Sequence, residues 1–187
     1  KDQPQILGNE SSQLIKVLNQ WPTSINAPNL SPIALANKIE GWSQLLQNSV
    51  NNGVYRCGFA RNQAAYDKAC KELFDALRKL EKSLLEKGPW LCGDQLTLAD
   101  VRLFPTLIRW EMIYMPLFGC SQEPLWFFPK LWEWRQRFLA QPGVIDTCDP
   151  NAWRNDYFGA LFPLRPNSIV PAGPNLVKIV SSQAPNL

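Results

Sequence analysis

Apolar positions recur at helical spacing over most of this chain. The strongest stretch is residues 62–87, where Tyr66, Ala69, Cys70, Leu73, Leu77, Leu80 and Leu84 form one stripe. That three-and-four spacing predicts a long amphipathic helix. Leu35, Ile39, Trp42 and Leu46 repeat the pattern over residues 32–49. Residues 98–112 are apolar nearly all round, which predicts a central buried helix. A further helix is expected over residues 129–140, carrying Leu131, Trp132, Trp134 and Phe138. Asp149-Pro150 reads as a cap with proline at the first helical position, opening a short helix to about residue 158. No alternating strand pattern follows residue 32, so the body is expected to be all-α.

The punctuation between these stripes is informative. Thr97 and Asp100 have the spacing of a capping box, with aspartate in place of glutamate, and Leu96 and Val101 that of a hydrophobic staple. Together they predict a helix that starts at a fixed residue. Asn51-Asn52-Gly53 favours the left-handed backbone of a helix C-cap. Residues 51–60 therefore read as a loop, with Tyr55, Arg56 and Cys57 held between Gly53 and Gly58. Asp67–Lys71 and Asp75–Lys79 are acid-before-base pairs worth about 0.3 kcal/mol each.

Both ends differ from the body. Gln5-Ile6-Leu7 reads as a short strand, Gly8-Asn9 as a turn, and Leu14, Ile15, Val17 and Leu18 as a helix beginning near Glu10. Residues 21–31 form a proline-containing linker. Pro163, Pro166, Pro171, Pro174 and Pro185 predict an extended tail over residues 161–187. No leader pattern follows Lys1, and residues 1–6 read as the end of a longer element.

Composition narrows the chemistry. The 187 residues are 45% hydrophobic and 19% charged, with net charge +3. That charge, without a basic block, argues against nucleic acid. No apolar run approaches the roughly 20 residues that span a bilayer. There is no histidine, which removes the commonest general base and metal ligand. Five widely spaced cysteines (Cys57, Cys70, Cys92, Cys120 and Cys148) contain no Cys-x-x-Cys pair, so no metal is expected and free thiols are. Acid–base work at neutral pH then falls to Tyr, Cys, Lys or perturbed carboxylates. An arginine beside Cys57 would lower its pKa.

Several motifs fall in a recognisable order. Leu96-Thr97-Leu98-Ala99-Asp100 resembles the capping box of the glutathione transferase C-terminal domain. Asn51-Asn52-Gly53-Val54-Tyr55 with Gly58-Phe59-Ala60 is similar to the xi class, the glutathionyl-hydroquinone reductases. So are Leu103-Phe104-Pro105-Thr106-Leu107-Ile108-Arg109-Trp110 with Tyr114, Phe128-Pro129-Lys130-Leu131-Trp132, Pro142-Gly143-Val144 and Ile169-Val170-Pro171-Ala172-Gly173-Pro174. The resemblance covers roughly residues 5–175.

The resemblance implies a glutathione transferase C-terminal-like helical bundle over residues 32–160, with the extended proline-rich tail after it. Residues 1–20 would be the end of a thioredoxin-like glutathione-binding domain. Glu10 and Ser11 match the pair that holds the γ-glutamyl end of glutathione, the co-substrate. Tyr55 matches the tyrosine assigned as proton donor or acceptor. Tyr114 and Tyr157 match two tyrosines that help lower the pKa of the reacting cysteine. Tyr157 lies in Asp156-Tyr157-Phe158-Gly159, where many members carry His-Tyr-Tyr-Gly. By pattern alone, Glu10 and Ser11 only begin a helix, and each tyrosine is equally a half-buried ring with its hydroxyl at the surface.

The family nucleophile lies in a Cys-Pro-Trp-Ala-like motif, and no Cys-Pro occurs here. The chain by itself is therefore expected to lack the reacting thiol and to be inactive. The resemblance further implies a quinone-derived aromatic substrate, a homodimer, and a cytoplasmic or plastid-stromal setting. Competing readings are a non-catalytic assembly module and a conjugating transferase.

Overall fold

The computed structural model describes residues 9–21, 27–160, 164, 167 and 169–181. The short strand read at Gln5-Ile6-Leu7 and much of the 21–31 linker lie outside them. Among the described residues there is no strand beyond one isolated bridge, Trp90 to Gly93. No described helix is long and apolar enough to cross a membrane.

The helices are α1 (Ser11–Gln20), α2 (Ala36–Leu45), α3 (Asn52–Gly58), α4 (Gln63–Lys87), α5 (Leu98–Ile108), α6 (Met115–Phe118), α7 (Pro129–Leu139), α8 (Pro150–Ala160) and α9 (Leu176–Ser181). α4 buries Ala69, Cys70, Leu73, Leu77, Leu80 and Leu84, the stripe read from the pattern, against α3 and α7. Its N-cap is Asn62, whose side chain accepts the Ala65 N–H at 2.9 Å. α5 packs against α2 and α7 and exposes little beyond Pro105.

The capping box at the start of α5 forms as expected. The Asp100 carboxylate accepts the Thr97 N–H at 2.9 Å. Its other oxygen accepts the Leu91 N–H at 3.0 Å and the Trp134 indole N–H at 2.9 Å. One buried carboxylate thus joins the loop before α5, the first turn of α5, and α7. Burial pushes its pKa up against the pull of these donors.

Three local expectations change. Residues 51–60 are not a loop: a π turn, Leu46–Asn51, leads directly into α3. Asn51 and Asn52 are right-handed. Gly53 serves close packing, since a Cβ there would meet Leu73 Cδ1 at 3.4 Å. Burial of Val54 and Cys57 outweighs the local turn signal. On α4, Lys71 pairs with Asp75 at 2.6 Å, and Asp67 instead accepts from Gln63 at 2.7 Å. The tail runs without regular structure from Ile169 to Asn175, then closes in α9, where Leu176 is buried near α7.

Candidate active site

Tyr55, Tyr114 and Tyr157 come from α3, from a second π turn (Trp110–Tyr114) and from α8. Their hydroxyls converge. Tyr157 Oη lies 2.6 Å from Tyr55 Oη and 3.1 Å from Tyr114 Oη. A π turn inserts about one residue and rotates the helix downstream of it, and such turns gather at functional sites. Here one precedes Tyr55 and another ends on Tyr114.

Phe118 is the hub beneath them. Its ring lies 5.2 Å from Tyr55, 5.6 Å from Tyr114, 6.2 Å from Tyr157 and 5.6 Å from Phe59, centroid to centroid. Gly58 lets α3 approach this ring: a Cβ at Gly58 would sit 2.4 Å from Phe118 Cγ. The next residue, Gly119, ends α6 in the left-handed region at φ 68°, where glycine is favoured. Its carbonyl accepts the Tyr66 hydroxyl at 2.6 Å. Tyr66, expected in the core, is half-buried and fastens that turn.

The hydroxyls differ in environment. Tyr114 is 2% exposed and Tyr55 38%. Burial, then the bond to Tyr157, pushes Tyr55 up to about 12, against opposing influences of Tyr114 and the Arg109 charge. Burial pushes Tyr114 higher still. Three phenols joined by two bonds leave one O–H unused inside the group. Because Tyr114 is enclosed, that proton belongs to Tyr55 or Tyr157, the two that reach solvent. The site is therefore a proton donor at neutral pH.

The raised values predict a titration. The unfolded chain ionises its tyrosines near about 10. In the native protein Tyr55 and Tyr66 reach half-ionisation at about 12, and Tyr114 later. Since the fold holds these protons, stability is intact below about 10 and falls as pH climbs towards about 12. Tyrosinate absorbance with and without denaturant, and urea melts along the same series, check both statements.

An open groove of about 710 Å³ adjoins Tyr55, lined by Asn52, Arg56, Phe59, Ala65, Lys68 and Ala69. A separate cavity of about 460 Å³ between α1 and α2, lined by Ile15, Lys16, Glu40 and Arg102 among others, holds none of the tyrosines. Among the described residues no group of side chains is arranged to hold a metal ion.

Residues 63–137 match the family model for the glutathione S-transferase C-terminal domain. Glutathionyl-hydroquinone reductase PcpF of Sphingobium chlorophenolicum is 36% identical over 93% of this chain and 56% of its own length. The glutathione-bound structure of YqjG, a glutathione transferase homologue from Escherichia coli K-12, superposes with a TM-score of 0.84 at 33% identity. It covers 90% of this chain and 56% of that one. The glutathione-S-transferase Xi structure from Phanerochaete chrysosporium gives a TM-score of 0.83 at 36% identity, covering 89% of this chain and 58% of that one. The chain belongs to the xi-class glutathione transferases. It spans about half the length of the relatives it matches.

Within this xi-class helical domain, the remaining candidates lie apart from the tyrosines. Glu10 is the extended residue before α1 and Ser11 its first residue, both exposed. The Glu10 carbonyl accepts the N–H groups of Gln13 and Leu14. Cys57 is buried, 3% exposed. Its pKa is lowered first by a hydrogen bond from Cys120 and only secondarily by Arg56. Arg56 is occupied with Glu72 at 2.7 Å and the Asn48 carbonyl at 2.9 Å.

Pattern reading missed Phe118 and the purpose of Gly58. Phe118 stands in no helical stripe long enough to mark it. A glycine after an expected loop gives no hint of ring contact.

Proposed function

We propose that these residues are the helical part of a glutathione-dependent oxidoreductase that reduces glutathionyl-hydroquinones to hydroquinones with release of glutathione disulfide. The observation that carries the reading is the meeting of three phenol hydroxyls at one point beside an open aromatic groove. Similarity to reductases of that name supports it. Catalytic roles go to Tyr55, Tyr114 and Tyr157, and contact with the γ-glutamyl end of glutathione to Glu10 and Ser11.

The chemistry divides into two tasks. A thiolate attacks the glutathionyl sulfur, the carbon–sulfur bond breaks, and the ring carbon takes a proton. A second glutathione then resolves the mixed disulfide. The second task of the first step, proton delivery, suits a phenol whose proton is firmly held and whose ring lines the pocket. For the first task no thiol here is placed: Cys57, Cys70, Cys92 and Cys120 are buried, and the Cys148 thiol is turned to the Val144 carbonyl at 3.5 Å. These 187 residues alone are therefore proposed to be inactive. The same reading carries a homodimer and a reducing compartment, cytoplasm or plastid stroma, supported by the free thiols. An assembly-only module gives no reason for three hydroxyls to converge.

The test is steady-state reduction of a glutathionyl-hydroquinone, by these residues alone and by the same residues joined to a thioredoxin-like domain bearing the Cys-Pro thiol. The first shows no turnover and the second turns over. In the second, Tyr55→Phe lowers kcat by about 10²-fold or more, the range of general acid catalysis. Turnover by the chain alone overturns the missing-nucleophile reading. An unchanged kcat in Tyr55→Phe overturns the role of Tyr55.

A further inference from the structure

Arg109 is the cation closest in the fold's logic to the tyrosines. It stands between α5 and the π turn that ends on Tyr114. Its guanidinium lies 4.7 Å from the centroid of the Trp153 ring. Trp153 and Tyr157 are four residues apart on α8, hence on one face. One face of α8 therefore meets Arg109 through Trp153 and Tyr114 through Tyr157 one turn later. Arg109 and the hydroxyl group are adjacent layers of the same contact.

The guanidinium is also under-committed. One nitrogen donates to the Pro105 carbonyl at 3.1 Å, and Nε is buried with no partner. Glu111, two residues on, is taken by Arg135 at 2.7 Å. Among the described residues no carboxylate pairs with Arg109. A half-buried cation without a counter-charge is costly to keep unless something anionic visits it. Stacking on Trp153 fixes the plane of the guanidinium and gives back only part of that cost. Its field reaches the site, since the Arg109 charge opposes the upward push on Tyr55 and on Cys148.

We propose that Arg109 and the spare tyrosine O–H form an oxyanion site that takes the ionised hydroxyl of the aromatic ligand. The ligand class is a phenolate: a ring for the aromatic wall, and a negative oxygen between a phenol donor and a guanidinium. Charge-assisted bonds of this kind favour the anion over the neutral phenol. In the reaction proposed above, the leaving hydroquinone carries such an oxygen. The inference rests on that reading for the identity of the ring, but not for the binding preference.

The probe is 4-nitrophenol, whose ionised form is coloured, so its protonation is read by absorbance while it binds. The chain as it stands binds the phenolate about tenfold more tightly than the phenol, lowering the ligand's ionisation midpoint by about one pH unit. Arg109→Met weakens phenolate binding about tenfold or more and abolishes the lowering. Arg109→Lys keeps a charge and restores part of it. Near-UV circular dichroism checks that each variant keeps its packing. Binding of the neutral phenol by the unaltered chain, or no binding, overturns the proposal whatever the variants do. Equal phenolate binding by a folded Arg109→Met also overturns it. Because the readout is binding, a failed reductase assay leaves this inference standing, and its failure leaves the reductase reading untouched.

Discussion

Gly58→Ala lowers stability by about 2–3 kcal/mol, the usual cost of forcing extra volume into a packed site, and separates Tyr55 from Tyr157. Helix propensity alone gives the opposite sign, since alanine is favoured over glycine by about 1 kcal/mol inside a helix. The geometry decides between them. The new Cβ would lie 2.4 Å from Phe118 Cγ, 2.5 Å from Cδ1 and 2.8 Å from Cβ. These are the root of a ring only 2% exposed, so no flexible end can swing away. The strain passes to the ring that touches all three tyrosines. Urea unfolding measures the stability loss, and the tyrosinate titration detects release of Tyr55 from its raised value. Gly53→Ala is the internal control. Its Cβ meets Leu73 at an ordinary 3.4 Å, so that variant is neutral or gains up to about 1 kcal/mol. A stabilised Gly58→Ala with the titration unchanged would falsify the close-approach argument.

Asp100→Ala has the larger effect on the fold, about 4 kcal/mol, in the range for removing one partner of a buried charged network. Three donors lose their acceptor: the N–H groups of Leu91 and Thr97 and the Trp134 indole. All three residues are buried, Leu91 to 2% exposure and Thr97 and Trp134 to 0%, so water does not replace the carboxylate. The thermal midpoint falls on the order of 10 °C for a domain of this size. Asp100→Asn keeps the shape and one acceptor oxygen but turns an NH₂ towards donors, and loses about half as much. Burial raises the folded pKa of Asp100, so the folded state holds its proton more tightly than the unfolded chain. Its share of stability is greatest in acid and declines as pH rises from the ordinary carboxylate range through the raised value. The asparagine variant lacks that slope. Melts of the three proteins across mildly acidic pH decide the matter, and coincident pH profiles would sink it.

These two positions show what was legible and what was not. Asp100 was readable because a capping box is a local device: Thr97, Asp100 and the staple lie within a few residues, and their spacing states their geometry. Its bond to Trp134, 34 residues away, was not readable. Gly58 was misread with the whole of residues 51–60, because Asn-Asn-Gly carries a strong local turn preference. The burial of Val54 and Cys57 against α4 overrode it. The inserted residue was absorbed by a π turn, for which no residue pattern gives a signal.

The sequence by itself determined the all-helical class, the stripe of α4, the caps of α5 and α8, and the family. Each rests on residues that are close along the chain or on motifs in a fixed order. Only the tertiary structure decided that Tyr55, Tyr114 and Tyr157 share one point, although Tyr55 and Tyr157 are 102 residues apart. It also decided that Phe118 holds them and that Arg109 stands beside them. Helical periodicity states which face of a helix is buried. It does not state which other face it meets, and a site made by three helices exists only once those faces have met.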